Sequence, residues 1–242
     1  MFKNYIFDLY GTLIDIFTCE ESPELWKQMV IYYGYKGAHY TPSQLRLKYK
    51  EFCAAEKKRT QEEHPDYTYV EINLTKVFRK LYEHKGVTVT YEDAATTAIV
   101  FRCISTEHIR LYRGVIDLLE TLRQKGKRVF LLSNAQHDFT VPEFKMLDLE
   151  KYFDDIVLSS DQLCKKPDPH MYDILFERHG LKKEETVMVG NDFLSDIKSA
   201  HDYGIKSLYI HQKISPPITG KLLSDWKIMN GSVSRIKSMI VK

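Results

Sequence analysis

The stretch IFDLYGTLID, residues 6–15, decides how the rest of the chain is interpreted. Two apolar residues, Ile6 and Phe7, lead directly into the carboxylate of Asp8, and Gly11-Thr12 follow as a tight turn. In open α/β sheets the reacting groups lie where strands end, so this acid can be a nucleophile, a metal ligand or both. An aspartate that only caps the turn explains the stretch equally well, and the remaining sequence has to decide.

Length, charge and composition are those of an ordinary globular protein. The 242 residues allow one large domain, or a domain with a second one inserted in it. Thirty-five Lys and Arg against 33 Asp and Glu leave a charge of +2, so nucleic acid is not an expected partner. No signal-peptide pattern is present, and no apolar run approaches the ~20 residues that span a bilayer. We expect a cytoplasmic protein without a membrane partner, and the sequence predicts no oligomeric state.

The cysteines give no sign of a disulfide framework or a zinc site. Cys19, Cys53, Cys103 and Cys164 are far apart, and neither they nor the nine histidines show metal-site spacing. Cys53, on an apolar helical face, is predicted to be a small core residue.

From residue 115 onward, apolar strand patterns alternate with helical patterns. Strands are predicted over 129–132, 156–158, 187–189 and 207–210, with helices between them over 115–125, 142–147, 168–179 and 195–203. Continuously apolar strands separated by helices predict a parallel sheet covered on both faces. With the first strand ending at Asp8, the prediction is a doubly wound, Rossmann-like α/β core formed by residues 1–15 and 112–242.

Residues 16–111 show mostly helical patterns, and they are predicted to form an inserted helical domain. Thr41 to Gln44 make a capping box with Pro42 at the first helical position, and Thr90 starts another helix in similar style. A helix between them is predicted from Val70, Leu74, Val77, Phe78 and Leu81. An insertion after the first strand would lie over the carboxyl edge of the sheet as a lid. Its crowded aromatic residues are assigned to its own core rather than to substrate: Trp26, Tyr32, Tyr33, Tyr35, Tyr40, Tyr49, Tyr67 and Tyr69.

Polar residues follow four of the predicted strands or lie in the loops after them. Each stretch alone can be a turn, a cap, a solvated charge or a helix N-terminus. Since the carboxyl ends of parallel strands meet at one edge of a sheet, all four are expected to converge on one crevice, which is typical of an active site. The stretches are Asp8 to Thr12, Ser133-Asn134, Lys165 to Asp168, and Gly190 to Asp192 with Asp196.

The segments FDLYGTL, LLSNA, CKKPDPHMY and VMVGNDFLSDIKSA resemble, in order, the four motifs of the haloacid dehalogenase superfamily. The insertion resembles the helical cap of that family. The resemblance implies that Asp8 is the nucleophile, Ser133 the phosphate-binding hydroxyl and Lys166 the lysine that balances negative charge. It implies that Asp192 and Asp196 form the acidic, metal-binding end.

The candidate site residues follow from these motifs. A carboxylate that attacks a phosphoryl group needs cations nearby, which Lys166 and a Mg²⁺ held by oxygen ligands would supply. Ser133 and the backbone amides after Asp8 can donate to the transferring oxygens. The expected catalytic residues are Asp8, Tyr10, Ser133 and Lys166. The expected substrate-binding residues are Gly11, Thr12, Ser133, Asn134 and Lys166, and the expected metal-binding residues are Asp8, Tyr10, Asn191, Asp192 and Asp196.

Two departures from the family pattern keep more than one activity open. Most phosphatases of the family carry a second Asp where this chain has Tyr10, and a Tyr, which titrates near ~10, is a poor general base. The 2-haloacid dehalogenases of the family do have a Tyr there. Their fourth motif, however, looks less acidic and binds no metal, whereas this chain keeps Asp192 and Asp196. Asn191 stands where many members have the first Asp of that motif, so either Asn191 or Asp192 can face the metal.

The expected function is a metal-dependent phosphatase-like hydrolase that forms an aspartyl-phosphate at Asp8 on a small phosphorylated metabolite. One alternative is a 2-haloacid dehalogenase, with a metal-free ester intermediate at Asp8. The other is a protein of this fold that binds a ligand without turnover. The substrate itself is not predicted, because the contacts that the insertion makes with it are not identifiable from the sequence.

Overall fold

The computed structural model describes residues 2–241, and its centre is one parallel sheet. The strands in chain order are β1 (Asn4–Phe7), β2 (Ile14–Thr18), β3 (Thr106–Leu111), β4 (Arg128–Ser133), β5 (Asp155–Leu158), β6 (Thr186–Gly190), β7 (Lys206–Ile210) and β8 (Trp226–Ile228). Within the described residues, six strands form a parallel sheet in the order β5-β4-β1-β6-β7-β8. The other two, β2 and β3, form an antiparallel pair.

Helices follow the strands and cover both faces of the sheet. They are α5 (Val115–Gln124), α6 (His137–Met146), α7 (Ser159–Gln162), α8 (His170–His179), α9 (Ser199–Tyr203) and α10 (Ser234–Ile240), with a π-helical turn over Phe193–Lys198. Side chains of β1 alternate between the two faces, since Tyr5 and Phe7 join one apolar cluster and Ile6 joins the other. The predicted doubly wound α/β sheet is confirmed. Within residues 2–241, none of the helices is long and apolar enough to cross a membrane.

Four helices between β2 and β3 form a separate layer, called here the helical insert (residues 23–105). They are α1 (Pro23–Tyr35), α2 (Pro42–Glu63), α3 (Leu74–Glu83) and α4 (Tyr91–Ser105). The capping boxes predicted at Thr41 and Thr90 are both present. Trp26, Tyr33, Tyr40 and Tyr49 are buried in the insert's own apolar cluster, as predicted. Tyr35, by contrast, is 88% exposed, and Tyr67 and Tyr69 lie outside that cluster.

Several elements differ from their predicted bounds for reasons that depend on distant contacts. Val70 is not part of α3 but forms an isolated bridge with Cys164 of the core. Helix α6 begins at His137, five residues before the expected start, and carries Pro142 inside it. The strands β2, β3 and β8 have no counterpart in the prediction. Each is short, and each is paired with a strand that the local pattern does not identify as its partner.

A connecting segment, residues 67–75, fastens the helical insert to the core. The buried carboxylate of Asp168 accepts hydrogen bonds from the backbone amides of Thr68 and Tyr69, at 2.8 and 3.1 Å. Gln136 accepts from the amide of Leu74 at 2.9 Å and donates to the carbonyl of Ile72 at 2.8 Å. The segment is therefore held by the two core loops that follow β4 and α7.

We expect Asp168→Asn to destabilise the fold by about 1–3 kcal/mol, the usual cost of leaving buried donors poorly paired. Burial alone raises the pKa of Asp168, but its bonds to His170 and to backbone amides lower it overall. A lowered pKa means that the carboxylate stabilises the fold above its unfolded-state pKa and that this contribution is lost as the pH falls. Urea unfolding should show a deficit at pH 7 that shrinks below about pH 4. Asp66→Asn, an exposed neighbour, is the control, and an equal loss in both variants would contradict the assignment.

Candidate active site

The four polar stretches come together at the carboxyl edge of the sheet. Asp8 follows β1, Ser133 ends β4, Asn191 follows β6, and Lys166 lies in the loop after α7. The chain proceeds from β1 to one side of the sheet and from β6 to the other, so the edge between these two strands is a topological switch point. A crevice of about 270 Å³ opens there, with Asp8, Tyr10, Ser133, Asn134, Asn191 and Asp192 in its lining.

The two oxygens of Asp8 differ in their environment. Oδ1 accepts hydrogen bonds from Ser133 Oγ at 3.1 Å and from Lys166 Nζ at 2.9 Å. Among residues 2–241, Oδ2 has only a long contact from Thr12 Oγ1, at 3.4 Å. The side chain is thus fixed mainly through Oδ1, while Oδ2 carries the weaker partner, and Asp8 is one of the residues that line the crevice.

Lys166 is a buried cation with three acceptors. Its Nζ donates to Asp8, to Asp196 Oδ1 at 2.7 Å and to the carbonyl of Leu132 at 2.6 Å. Burial alone would lower the pKa of this lysine, but the two carboxylates raise it well above its usual range. The backbone of Lys166 exchanges two hydrogen bonds with the side chain of Asn134, at 2.8 and 2.9 Å. The neighbouring Lys165 is more exposed and pairs with Glu71, as expected for a solvated residue.

Both carboxylate oxygens of Asp196 accept hydrogen bonds. Oδ1 accepts from Lys166, and Oδ2 accepts from the backbone amides of Asn191 and Asp192 at 3.0 and 2.9 Å. A Cβ at Gly190 would overlap this carboxylate, so only glycine leaves it room. Asp192 is nearer to solvent, and its Oδ1 caps the π-helical turn by accepting from the amides of Leu194 and Ser195.

Asn191 joins the first motif to the fourth. Its Oδ1 accepts from Thr12 Oγ1 at 3.1 Å, and its Nδ2 donates to Ser215 Oγ at 3.3 Å. Gly11 has a φ of +81°, and any side chain there would overlap the amide of Asn191. Gly11 and Thr12 were expected to bind substrate, and in this structure both contact Asn191.

Tyr10 has its hydroxyl partners on α6. The phenol donates to Glu143 Oε2 at 2.5 Å and shares a hydrogen bond with Thr140 Oγ1 at 3.0 Å. Arg102, from α4 of the helical insert, donates to Glu143 Oε1 at 2.6 Å and stands 5.3 Å above the centre of the Tyr10 ring. Burial, and then the charge of Glu143, raise the pKa of Tyr10 well above its usual range. Tyr10 is therefore one of the residues that line the crevice, but its hydroxyl is engaged by Glu143 and Thr140 on α6.

Sequence reasoning missed Arg102, Thr140 and Glu143. One signal was available, since Glu143 and Thr140 fall on the same helical face as the buried Phe139 and Phe144. A carboxylate on a buried helical face requires a partner. Nothing in the local pattern, however, indicates that the partner lies on the helical insert.

The oxygen donors of the crevice have the chemistry of a magnesium ligand set. Asp8, Asn191 and Asp192 contribute carboxylate and amide oxygens to one lining. In the described part of the chain, no group of three or more His, Cys, Asp or Glu side chains is arranged to hold a metal. Mg²⁺ usually binds through one or two carboxylates, with waters and substrate phosphate completing its shell, so this donor set fits the ion.

Comparison with known proteins identifies the class to which the chain belongs. The profile described as haloacid dehalogenase-like hydrolase matches residues 5–210. Since this match covers most of the sequence, the protein belongs to the haloacid dehalogenase-like hydrolase family. The resemblance carried by the four motifs is thereby confirmed.

Curated relatives match over shorter lengths. The chain is 30% identical over 99 residues to pyrophosphatase PpaX of Halalkalibacterium halodurans, a match that covers 41% of this chain and 46% of that protein. It is 31% identical over 105 residues to the phosphoglycolate phosphatase of Escherichia coli, covering 43% of this chain and 41% of that one. The chain thus spans about half the length of the curated relatives it matches.

Solved structures resemble the chain over its whole length. A phosphatase from Thermococcus onnurineus aligns with a TM-score of 0.61 at 17% identity, covering 99% of this chain and 98% of that one. A 2-haloacid dehalogenase from Pseudomonas syringae pv. tomato aligns with a TM-score of 0.65 at 20% identity, covering 98% and 97%. The hydrolase YfnB of Bacillus subtilis, bound to magnesium, aligns at 0.59 with 18% identity, covering 100% and 99%. At these identities the likeness shows the fold alone.

The contact between Arg102 and Glu143 predicts a large energetic coupling. We expect Arg102→Met to destabilise the fold by about 3 kcal/mol, because it leaves a nearly buried carboxylate without its cation. Adding Glu143→Gln should restore part of that loss. The double variant should therefore lose less stability than the two single variants lose when their losses are added together. Urea unfolding measures all three. The exposed pair of Arg79 and Glu83 is the control, and Arg79→Met should cost less than about 1 kcal/mol. Equal costs at both arginines would argue against the coupling.

Proposed function

We propose that the chain is a Mg²⁺-dependent, phosphatase-like hydrolase that acts on a small phosphorylated metabolite through an aspartyl-phosphate at Asp8. The observation that carries this proposal is the environment of Asp8. Oδ1 is held by Ser133 and Lys166, whereas Oδ2 has a single weak partner among the described residues, and Asp8 belongs to the lining of the crevice. The curated relatives named pyrophosphatase and phosphoglycolate phosphatase support phosphoryl chemistry.

In the first step, Asp8 Oδ2 attacks phosphorus as the bond from phosphorus to the leaving oxygen breaks, and that oxygen departs with the bonding electrons. Lys166 pairs with Asp8 and orients its carboxylate. The Ser133 hydroxyl would turn from Asp8 Oδ1 to donate to a phosphoryl oxygen, together with the amides after Asp8, while the Asn134 side chain holds the Lys166 backbone in place. In the second step, water attacks the same phosphorus, which frees phosphate, regenerates the Asp8 carboxylate and releases the water's proton.

The charges of the site explain why a divalent cation belongs in this proposal. Asp8, Asp192 and Asp196 are three carboxylates against the single ammonium of Lys166. In the described residues, no arginine or lysine is part of the crevice lining, and Lys166 itself is fully buried beside Asp8. A phosphate dianion would be repelled by such a surplus of negative charge. When bound by Asp8 and by Asn191 or Asp192, with the Tyr10 carbonyl as a further donor, Mg²⁺ would offset that charge and polarise the phosphoryl oxygens. Asp196 would contribute to the site indirectly, through its bonds to Lys166 and to the backbone amides of Asn191 and Asp192.

Tyr10 favours a second candidate, a 2-haloacid dehalogenase. There Asp8 would displace halide from carbon, the halide leaving with the bonding electrons, and water would then hydrolyse the ester to a hydroxy acid. Halide needs no proton, so a tyrosine engaged with Glu143 would be no handicap. The solved 2-haloacid dehalogenase that shares the fold is consistent with this candidate. Halide release from 2-chloropropionate in the presence of a chelator, without phosphatase activity, would establish it instead.

Asp8→Asn should reduce hydrolysis of phosphate esters to background while the fold stays intact. The amide is a poor nucleophile, and Lys166 keeps Asp196 and the Leu132 carbonyl as partners. Activity on a panel of aryl, acyl and alkyl phosphates, assayed with Mg²⁺ and with chelator, measures the effect beside circular dichroism. Asp117→Asn, an exposed aspartate away from the crevice, should retain full activity. Turnover by a well-folded Asp8→Asn variant would rule out the covalent mechanism.

Millimolar Mg²⁺ should raise the melting temperature, and Asp192→Asn should weaken this effect. A ligand that binds only the folded state stabilises it by mass action, about 2.7 kcal/mol at a hundredfold excess over its Kd. Removing an anionic oxygen from the site weakens the binding. Thermal shift with and without Mg²⁺ measures this, with exposed Asp148→Asn as the control. If the unmodified protein does not respond, the metal-free dehalogenase gains support.

A further inference from the structure

The crevice at Asp8 has an apolar wall, and the helical insert does not supply it. Among the described residues, no side chain from residues 16–111 lines the crevice. Its apolar lining comes from Ile214 and Pro216, in the segment between β7 and β8, called here the β7–β8 segment (residues 211–225). This segment was not among the predicted site residues.

The β7–β8 segment is held against the fourth motif by specific contacts. Ser215 Oγ accepts from Asn191 Nδ2 at 3.3 Å and from the amide of Gln212 at 2.9 Å. The buried Gln212 donates in turn to the carbonyl of Gly231 at 2.9 Å. A Cβ at Gly220 would stand 3.1 Å from the ring of Phe193, so this part of the segment lies closely on the π-helical turn. The wall is therefore anchored to the same asparagine that contacts Thr12.

The polar and apolar parts of the crevice lie on different elements. Asp8 and Ser133 offer the groups that suit a phosphoryl group, and Ile214 with Pro216 offers carbon surface. Lys213 and Lys221 of the β7–β8 segment are exposed and are not in the lining. Within the described lining, a second anionic group on a substrate would therefore meet carbon surface and no lysine or arginine side chain. At about 270 Å³ the crevice is also at the small end of ligand sites.

We propose that Ile214, with Pro216, forms a specificity-determining surface of the core for the leaving group, and that the substrates are phosphate esters with a compact, uncharged, apolar leaving group. The proposal rests on the function proposed above for its phosphoryl end, and on the lining of the crevice for the rest. A substrate that carries a carboxylate beside the phosphate needs a cation at this wall. The proposal therefore distinguishes this chain from enzymes that act on such substrates.

Two phosphonates with the same head group test this surface without turnover. Phenylphosphonate has an apolar tail and phosphonoacetate a carboxylate, and neither has a bond that the proposed reaction would break. In Mg²⁺ buffer, calorimetric titration should show tighter binding of phenylphosphonate to the unmodified protein. Ile214→Ala should weaken that binding roughly tenfold, the effect of losing one or two methylene-sized contacts, and leave phosphonoacetate within about twofold.

Three further variants test whether the effect on binding is specific to the surface of Ile214 and Pro216. Ile214→Leu should preserve the preference, and Ile214→Lys should reverse it by giving the carboxylate a cation. Ile218→Ala, in the same segment but exposed and outside the lining, should bind both phosphonates as the unmodified protein does. Melting temperatures check that each variant is folded.

Kinetics separates the two proposals. Ile214→Ala should raise KM for phenyl phosphate about tenfold with kcat nearly unchanged, because it removes binding shared by ground and transition states. One outcome would contradict the proposed function and still support the role of Ile214. In that outcome no phosphate ester is hydrolysed, but the preference for phenylphosphonate depends on Ile214. The wall assignment is overturned if Ile214→Ala affects both phosphonates equally or neither, if phosphonoacetate binds more tightly, or if neither phosphonate binds.

Discussion

The buried ammonium of Lys166, shared between Asp8 and Asp196, is the interaction on which the rest of the site depends. Asp8 belongs to the end of β1 and Asp196 to the π-helical turn after β6, while the lysine comes from the loop after α7. A buried carboxylate is costly without a partner, and a buried cation likewise, so none of the three is stable in this place alone. Neutralising them together fixes three segments of chain at one point. The crevice is thus a consequence of how these charges are satisfied as much as of the sheet topology.

The loop that carries Lys166 also carries the attachment of the helical insert. Lys166 binds Asp8 and Asp196, and Asp168, two residues later, accepts hydrogen bonds from the backbone amides of Thr68 and Tyr69. A second attachment lies across the molecule, where Arg102 of the insert reaches Glu143 and, through it, Tyr10. Both connections begin next to residues of the site. Moving the insert away from the core would require breaking charge-assisted bonds at two buried carboxylates, each roughly twice as strong as a neutral hydrogen bond.

The sequence predicted those features that depend on local pattern and failed on those that depend on distant partners. Continuous apolar strands such as 129–132 and 187–189 are recognisable because both faces of a parallel sheet are buried. The residues after them, among them Ser133 and Asn191, could be placed at one edge by topology alone. By contrast, the pairing of Tyr10 with Glu143 joins positions 133 residues apart, and no periodicity records it. The bridge from Val70 to Cys164 and the β7–β8 segment were missed for the same reason.

The residues around the crevice also bear on which reactions suit it. The place where many family phosphatases have an acid is filled by Tyr10, whose proton is directed to Glu143 and whose pKa is raised. In the reaction proposed above, a leaving group that needs protonation would find no free acid in that position, so its departure would depend on the stability of the leaving group itself. The apolar surface of Ile214 and Pro216 adds a second requirement, for an uncharged group that gains by leaving water. The two requirements are met together by an aryl or similarly stabilised leaving group, whereas a charged alkyl ester meets neither.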